Sequence, residues 1–285
     1  MRVESISIKG SGEWNEDALV MCEAAGIFGV LDGATSVVPY RGPNGETGGY
    51  LAARIVKEEL ESIDPADWSS LHVRDAVLLA NRKLREAMLQ SGIDVNDKAQ
   101  LWTAEIALVK SGENRVEYAQ TGDCMIFAIY ADGSVRVLTR DQLAHIDMQT
   151  MKRWSDCVRR GMTSRQEIRR QVEPFIRANK LKMNTPEGYA AVNGQPELEQ
   201  FIEYGAINRI RLKSIIIITD GLFPHSETET ERLDVERLIS GMTSQGLRKY
   251  AESLIELELG DPECQRYIRF KTSDDKTAIW IRLDD

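Results

Sequence analysis

The chain has 285 residues, is 42% hydrophobic and carries a formal net charge of -9 at pH 7. That apolar content sustains one large α/β or sandwich domain with its own core, and the acidic balance excludes general nucleic-acid binding. No stretch approaches the roughly 18 apolar residues of a membrane span. The first residues, M-R-V-E-S-I-S-I-K, alternate where a signal peptide would be continuously apolar.

Cys22, Cys124, Cys157 and Cys264 lie far apart with no C-x-x-C pair, so reduced thiols and a cytoplasmic location are expected. His72, His145 and His225 form no metal-ligand spacing. Aspartate and glutamate remain as the plentiful ligands, and these suit hard cations.

Residues 3–9 alternate and predict a strand, after which Gly10, Gly12 and Asn15 mark a loop carrying Glu16 and Asp17. Residues 18–22 and 26–31 predict an antiparallel pair joined near residues 23–25. The second run ends on Asp32-Gly33, as if a buried strand delivered a carboxylate to its end; a β-turn at this Asp-Gly pair is the competing reading. Residues 39–49 are rich in Gly and Pro and predict a loop. Helices are predicted at 50–60, with Leu51, Ile55 and Leu60 near one face, and at about 73–90, with Val77, Leu78, Leu84 and Met88 at helical spacing.

Strands at 103–109, 116–121, 125–130 and 135–138 read as an antiparallel meander, separated by S-G-E-N, T-G-D and A-D-G. Asp132-Gly133 has the form of a hairpin turn. From 147 to 181 the pattern is helical and basic: between Lys152 and Lys182 only Asp156, Glu167 and Glu173 oppose the lysines and arginines. Such a run is either a solvated helix face or a surface that attracts an anionic substrate or acidic partner. Ser164 with Glu167 has the S-x-x-E form of a helix cap.

Residues 188–192 and 207–212 predict strands, and 214–219 predict the most buried one, running into Asp220-Gly221. Residues 232–259 are helical in composition, with Gly241 and Gly246 as interruptions. A last strand is predicted at 277–283, immediately after Asp274-Asp275.

Carboxylates thus stand where strands begin or end. Gathering them without cations raises their pKa values by mutual repulsion. Divalent ions remove that penalty, and carboxylates with water ligands suit Mg²⁺ or Mn²⁺. Two such ions about 4 Å apart can activate a water and stabilise a transferring phosphoryl group. Asp32 is the choice for the bridging carboxylate, because Gly33 lets a backbone carbonyl approach as well.

N-E-D at 15–17, V-L-D-G at 30–33, T-G-D at 121–123, L-T-R-D at 138–141, I-T-D-G at 218–221 and D-D-K-T at 274–277 span nearly the whole chain. In these stretches, and in their order, the chain resembles the metal-dependent protein Ser/Thr phosphatases (type 2C, PPM family), as a divergent bacterial-type member. The resemblance implies an α+β fold: a four-layer α-β-β-α sandwich of two central antiparallel sheets flanked by helices. It implies a single domain over 1–285 with a basic helical flap-like insertion at about 147–185. It also implies Mn²⁺ or Mg²⁺, two ions, and a phosphorylated protein as substrate, with a monomer as the default expectation and no nucleic acid or membrane as partner. Glu16, Asp32 and the carbonyl of Gly33 would hold one ion, and Asp32, Asp220 and Asp274 the other. Asp17 would orient the attacking water. Asp275 stands where the family usually has asparagine and keeps a polar orienting role. Asp123 matches a ligand of a third, weaker metal.

The chain departs from the family pattern at three places. Gly12 stands where many members carry a phosphate-gripping arginine. D-G-A-T-S replaces D-G-x-G-G, although Gly48-Gly49 can supply the packing role of the glycine pair. Pro224 stands where members with a well-formed third metal site often have aspartate, so a weak or absent third site is expected. With Gly12 in place, phosphate must find another cation, and Arg159, Arg160, Arg169 and Arg170 of the basic segment are the candidates. Two alternatives to protein-phosphate hydrolysis stand beside it: a phosphatase of a small phosphorylated metabolite, and a weakly active regulatory binding module. A nucleotide-dependent kinase is disfavoured, since no G-x-x-x-x-G-K-[ST] loop occurs.

Overall fold

Side-chain alternation along the strands sorts the apolar residues into layers. The computed structural model describes residues 1–227 and 233–283. The strands, in chain order, are Arg2–Ile8 (β1), Ala18–Cys22 (β2), Ile27–Ala34 (β3), Thr103–Ser111 (β4), Arg115–Gln120 (β5), Met125–Tyr130 (β6), Val135–Val137 (β7), Glu203–Asn208 (β8), Leu212–Ile218 (β9) and Lys276–Arg282 (β10). The α-helices are Gly48–Ser62 (α1), Val73–Gln90 (α2), Ala144–Arg159 (α3), Arg165–Lys180 (α4), Leu198–Phe201 (α5), Val235–Gln245 (α6) and Leu247–Leu259 (α7). Two five-stranded antiparallel sheets result, ordered β1-β10-β9-β6-β7 and β2-β3-β4-β5-β8.

In β9, Ile215 and Ile217 pack between the sheets, whereas Ile216 and Ile218 pack against α6 and α7. In β3, Phe28 and Val30 join the same inter-sheet layer, whereas Ile27 and Leu31 face α1 and α2. The layers therefore run helix, sheet, sheet, helix, the α+β sandwich expected above. β9 lies at the centre of its sheet and is buried on both faces, which accounts for its unbroken apolar run.

Several expectations need correction. The strand does not stop at Asp32: β3 continues through Asp32-Gly33 to Ala34, paired with β4, so the β-turn reading fails there. The expected meander is divided between the sheets, since β4 pairs with β5 and β6 with β7. T-G-D is the crossover between them; Gly122 takes φ +67 there, and a Cβ on it would also lie 2.3 Å from Glu105 Cγ. Residues 188–192 form only single bridges, Ala104 to Val192 and Met183 to Tyr189. Their backbone is satisfied by side-chain amides instead: Ala191 N–H donates to Asn184, Asn193 N–H to Asn81 and Ala190 N–H to Gln142.

The expected strand at 207–212 is broken by a turn at Arg211, φ +56, which carries the chain from β8 in one sheet to β9 in the other. Ile210 kept the apolar pattern going but is 71% exposed. The basic stretch is two helices, α3 and α4, separated around Gly161, φ +87. Gly241 does not interrupt α6; it makes room for the Tyr250 ring, 2.6 Å from where its Cβ would be. Gly246, φ +85, is the real break. Arg232, where the helical stretch was expected to start, lies outside the described residues.

Candidate functional site

The end of β1 lies opposite the start of β10, Ile8 beside Lys276, and the start of β10 lies opposite the end of β9, Ala278 beside Ile218. In the other sheet, the start of β2 faces the far half of β3, Ala18 beside Leu31. The loop 9–17 therefore crosses from sheet to sheet at one end of the sandwich. Asp32 shares the strand face of Phe28 and Val30 and so points into the inter-sheet space at that end. Its register partner on β4 is Glu105. Two carboxylates directly opposite repel.

Here the chain forms a cavity of about 620 Å³ whose lining includes Glu16, Asp32, Gly33, Glu105, Asp123, Asp147, Asp220, Asp274 and Asp275. A second cavity of about 550 Å³ shares Asp123, Asp147, Asp220, Lys271 and Asp274 with it. Asp17 is buried behind this wall, where Thr219 Oγ1 donates to its Oδ2 at 2.9 Å. Both oxygens of Asp275 are occupied by backbone: Oδ1 accepts from Gly10 N–H and Oδ2 from Glu16 N–H, each at 2.7 Å. Asp275 thereby clamps the crossing loop to the start of β10. Glu16 accepts from Thr47 Oγ1 and, at 3.3 Å, from Thr35 Oγ1.

Gly33 touches the N-terminal turn of α1 so closely that a Cβ would lie 2.4 Å from Gly49 O, and a Cβ on Gly49 would lie 2.9 Å from Gly33 O. Gly49 thus fulfils the packing role expected of the later glycine pair.

Burial pushes Asp17, Asp32, Asp123 and Asp147 well above the usual carboxylate range, and neighbouring carboxylates add to it. Asp275 acts on Asp17, Asp17 and Asp220 on Asp32, Glu105 on Asp123, and Asp141 on Asp147. Asp220 is pushed up to about 7 by burial and then by Asp274, against the pull of Lys271 and a hydrogen bond with Asp32. Lys271 Nζ lies 2.5 Å from Asp274 Oδ1. Burial disfavours its charge, yet Asp274, Asp32 and Asp220 outweigh that and hold its pKa well above the usual lysine value.

The basic segment is only partly at the cavity. Of the four candidate arginines, Arg169 lines it, with Nε on Glu173 at 2.9 Å. Arg159, Arg160 and Arg170 lie on exposed surface away from that lining, Arg159 with Asp156 at 2.6 Å. They face outward because the buried side of these helices, Trp154, Ile168 and Val172, packs on Cys264. The other cations lining the cavity are Arg41, Arg165, Arg177, Lys180 and Lys271. Burial lowers the Lys180 pKa to about 8, and its ammonium donates to Thr35 O.

Glu105, Asp147 and Lys271 belong to this site and were missed in the sequence. A glutamate inside the apolar run T-A-E-I-A-L-V was the available signal for Glu105. Lys271, three residues before Asp274, carried no signal.

Among the described residues, no three His, Cys, Asp or Glu side chains already close into a metal cage. The donor set nonetheless fits hard cations. Asp17 Oδ1, Asp123 Oδ1 and Asp220 Oδ1 are buried without a hydrogen-bond partner, and buried carboxylate oxygens are costly in that state.

Comparison with known proteins agrees with this fold. The family model described as protein phosphatase 2C matches residues 7–257. Among solved structures, PppA of Pseudomonas aeruginosa is 18% identical with a TM-score of 0.58, covering 99% of this chain and 96% of its own. The serine/threonine phosphatase PstP/Ppp of Mycobacterium tuberculosis is 17% identical with a TM-score of 0.58, covering 100% and 99%. The catalytic domain of PstP in complex with two manganese ions is 16% identical with a TM-score of 0.57, covering 100% and 98%. Curated proteins give no significant match. With its two-sheet sandwich, its carboxylate-lined end and a family match over most of its length, the chain belongs to the protein phosphatase 2C family, the metal-dependent hydrolases of phosphoserine and phosphothreonine.

Proposed function

We propose that this chain is a single phosphatase domain whose carboxylate-lined cavity holds two Mn²⁺ or Mg²⁺ ions and hydrolyses phosphoserine or phosphothreonine in a protein substrate. The observation that carries the proposal is the convergence of Glu16, Asp32, Asp220 and Asp274, from four separate parts of the chain, on one cavity. Glu16, Asp32 and the Gly33 carbonyl would hold one ion; Asp32, Asp220 and Asp274 would hold the other. When bound, the ions supply Lewis-acid polarisation of the phosphoryl group and acidify the attacking water.

The chain's own residues set the stage for that chemistry. Thr47 and Thr35 fix the Glu16 carboxylate in one orientation. Asp17 sits near Asp32 with one oxygen held by Thr219 and the other unpartnered, suited to orienting the water and taking its proton. Asp275 contributes by holding the 10–16 backbone in place. Arg165, Arg169, Arg177 and Lys180 make the rim positive above a negative floor, which favours a phosphorylated, partly acidic segment over a neutral one. The α3–α4 pair is in this reading the flap beside the site. Asp123, with Asp147 nearby, is where a third, weaker ion would bind. No described helix is long and apolar enough to cross a membrane, and a cytoplasmic setting fits the free cysteines.

Substrate class is tested by comparing kcat/KM for a phosphothreonine peptide with that for free phosphothreonine and a sugar phosphate, all with Mn²⁺. A preference of at least tenfold for the peptide is expected from contacts at the rim. Equal or reversed preference would favour the metabolite reading, and no turnover of any of them would favour a binding module.

A further inference from the structure

A phosphate dianion in this cavity needs a cation that is free to meet it, and most cations at the rim are already committed. Arg41 pairs with Glu13 at 3.2 Å, Arg169 with Glu173 at 2.9 Å, Arg177 donates to Val37 O at 3.0 Å and Lys180 to Thr35 O. Lys271 differs in kind. Its partner, Asp274 Oδ1 at 2.5 Å, is one of the carboxylates that metal ions would claim. Its side chain is 42% exposed and borders both cavities, so it has room to turn.

We infer that Lys271 is an exchangeable cation: it neutralises Asp274 while the metals are absent, and when they bind it swings from Asp274 to the substrate phosphate. The inference rests on the two-metal reading above. Charge balance drives the exchange. Two divalent ions held by Glu16, Asp32, Asp220 and Asp274 would cancel the carboxylate charge that attracts Lys271. The phosphate dianion then restores an attractive partner within the reach of a flexible four-carbon stem. Gly12 lines the same cavity as Lys271 and offers the phosphate no cationic side chain, which leaves that part to the 271 loop.

The exchange makes two effects of opposite sign. Removing the ammonium in Lys271→Met should tighten Mn²⁺ binding, measured by calorimetry on the full chain, because the metal no longer competes with an internal cation. With Mn²⁺ saturating, the same variant should bind inorganic phosphate about tenfold more weakly, read as its inhibition constant, and Lys271→Arg should recover most of that loss. Weakening of both ligands together would show a merely structural role and overturn the inference, as would unchanged phosphate inhibition. Failure of the wild type to bind Mn²⁺ at all would remove the two-metal reading itself, and this inference with it.

If Lys271→Met does not fold, the wild-type chain labelled with ¹³C at the lysine ε-carbon gives the answer, with Lys271→Arg assigning the signal. The Lys271 resonance should move on adding Mg²⁺ and again on adding phosphate. A resonance unmoved by both overturns the exchange.

Discussion

Each carboxylate at this site is held in a place that disfavours its charge, and that conflict has measurable consequences residue by residue. The folded-state pKa values of Asp17, Asp32, Asp123 and Asp147 lie above their ordinary values, and that of Asp220 is about 7. The native state therefore keeps protons that the unfolded chain releases, so stability must fall as pH rises from about 4 through about 7. Thermal unfolding in chelator should show Tm dropping by several degrees between about pH 5 and about pH 8, and saturating Mn²⁺ should abolish the drop. A Tm in chelator that stays level over that range would contradict the raised values. Asp32→Asn separates stability from function. It should raise Tm in chelator by relieving repulsion from Asp17 and Asp220, and lower Mn²⁺ affinity in calorimetry. A lower Tm together with unchanged Mn²⁺ binding would mean that Asp32 is a structural residue.

At the scale of elements, the site depends on close backbone approaches that only glycine permits. Gly33→Ala would drive a methyl group to 2.4 Å from Gly49 O and push α1 away from β3. A stability loss of about 1–3 kcal/mol in urea unfolding is expected, accompanied by weaker Mn²⁺ binding because the Gly33 carbonyl moves. A loss below a few tenths would show that α1 adjusts freely. The basic helices invite a gentler test. Ser164 Oγ accepts from Glu167 N–H at 3.4 Å, a long cap bond, so Ser164→Ala should cost about 0.5–1 kcal/mol in the same assay. Elements were also the scale most legible in the sequence: β1 follows from its alternation, β2, β6 and β10 from short apolar runs bounded by turn or acidic residues, and the helices α1 and α2 from period-3.6 spacing. Reading failed where side chains or turns took over backbone duties, at 188–192 and around Arg211.

For the molecule as a whole, the inter-sheet layer fixes where the carboxylates meet. Ile217 is fully buried at the centre of that layer, and Ile217→Ala should cost about 2–5 kcal/mol in denaturant unfolding. A smaller loss would mean that the two sheets close over the cavity. The sequence made Glu16, Asp32, Asp220 and Asp274 legible, because each stands where an apolar run meets a turn-forming residue or an acidic pair. It could not show Glu105 opposite Asp32, since that requires the strand register, nor Lys271 on Asp274, since a lone lysine in a loop has no periodicity. It named Arg159, Arg160 and Arg170 beside Arg169 because a helical run of basic residues does not reveal which face packs inward; Trp154 and Ile168 decide that through Cys264. The central claim, that this end of the sandwich hydrolyses phosphate esters through metal-loaded carboxylates, is tested most directly by phosphate release from a phosphothreonine peptide. Wild type with Mn²⁺ should turn over, while chelated wild type and Asp32→Ala with Mn²⁺ should each be slower by about 10³ or more, the loss of several kcal/mol of metal-derived stabilisation. Undiminished phosphate release in chelator and in Asp32→Ala would contradict it.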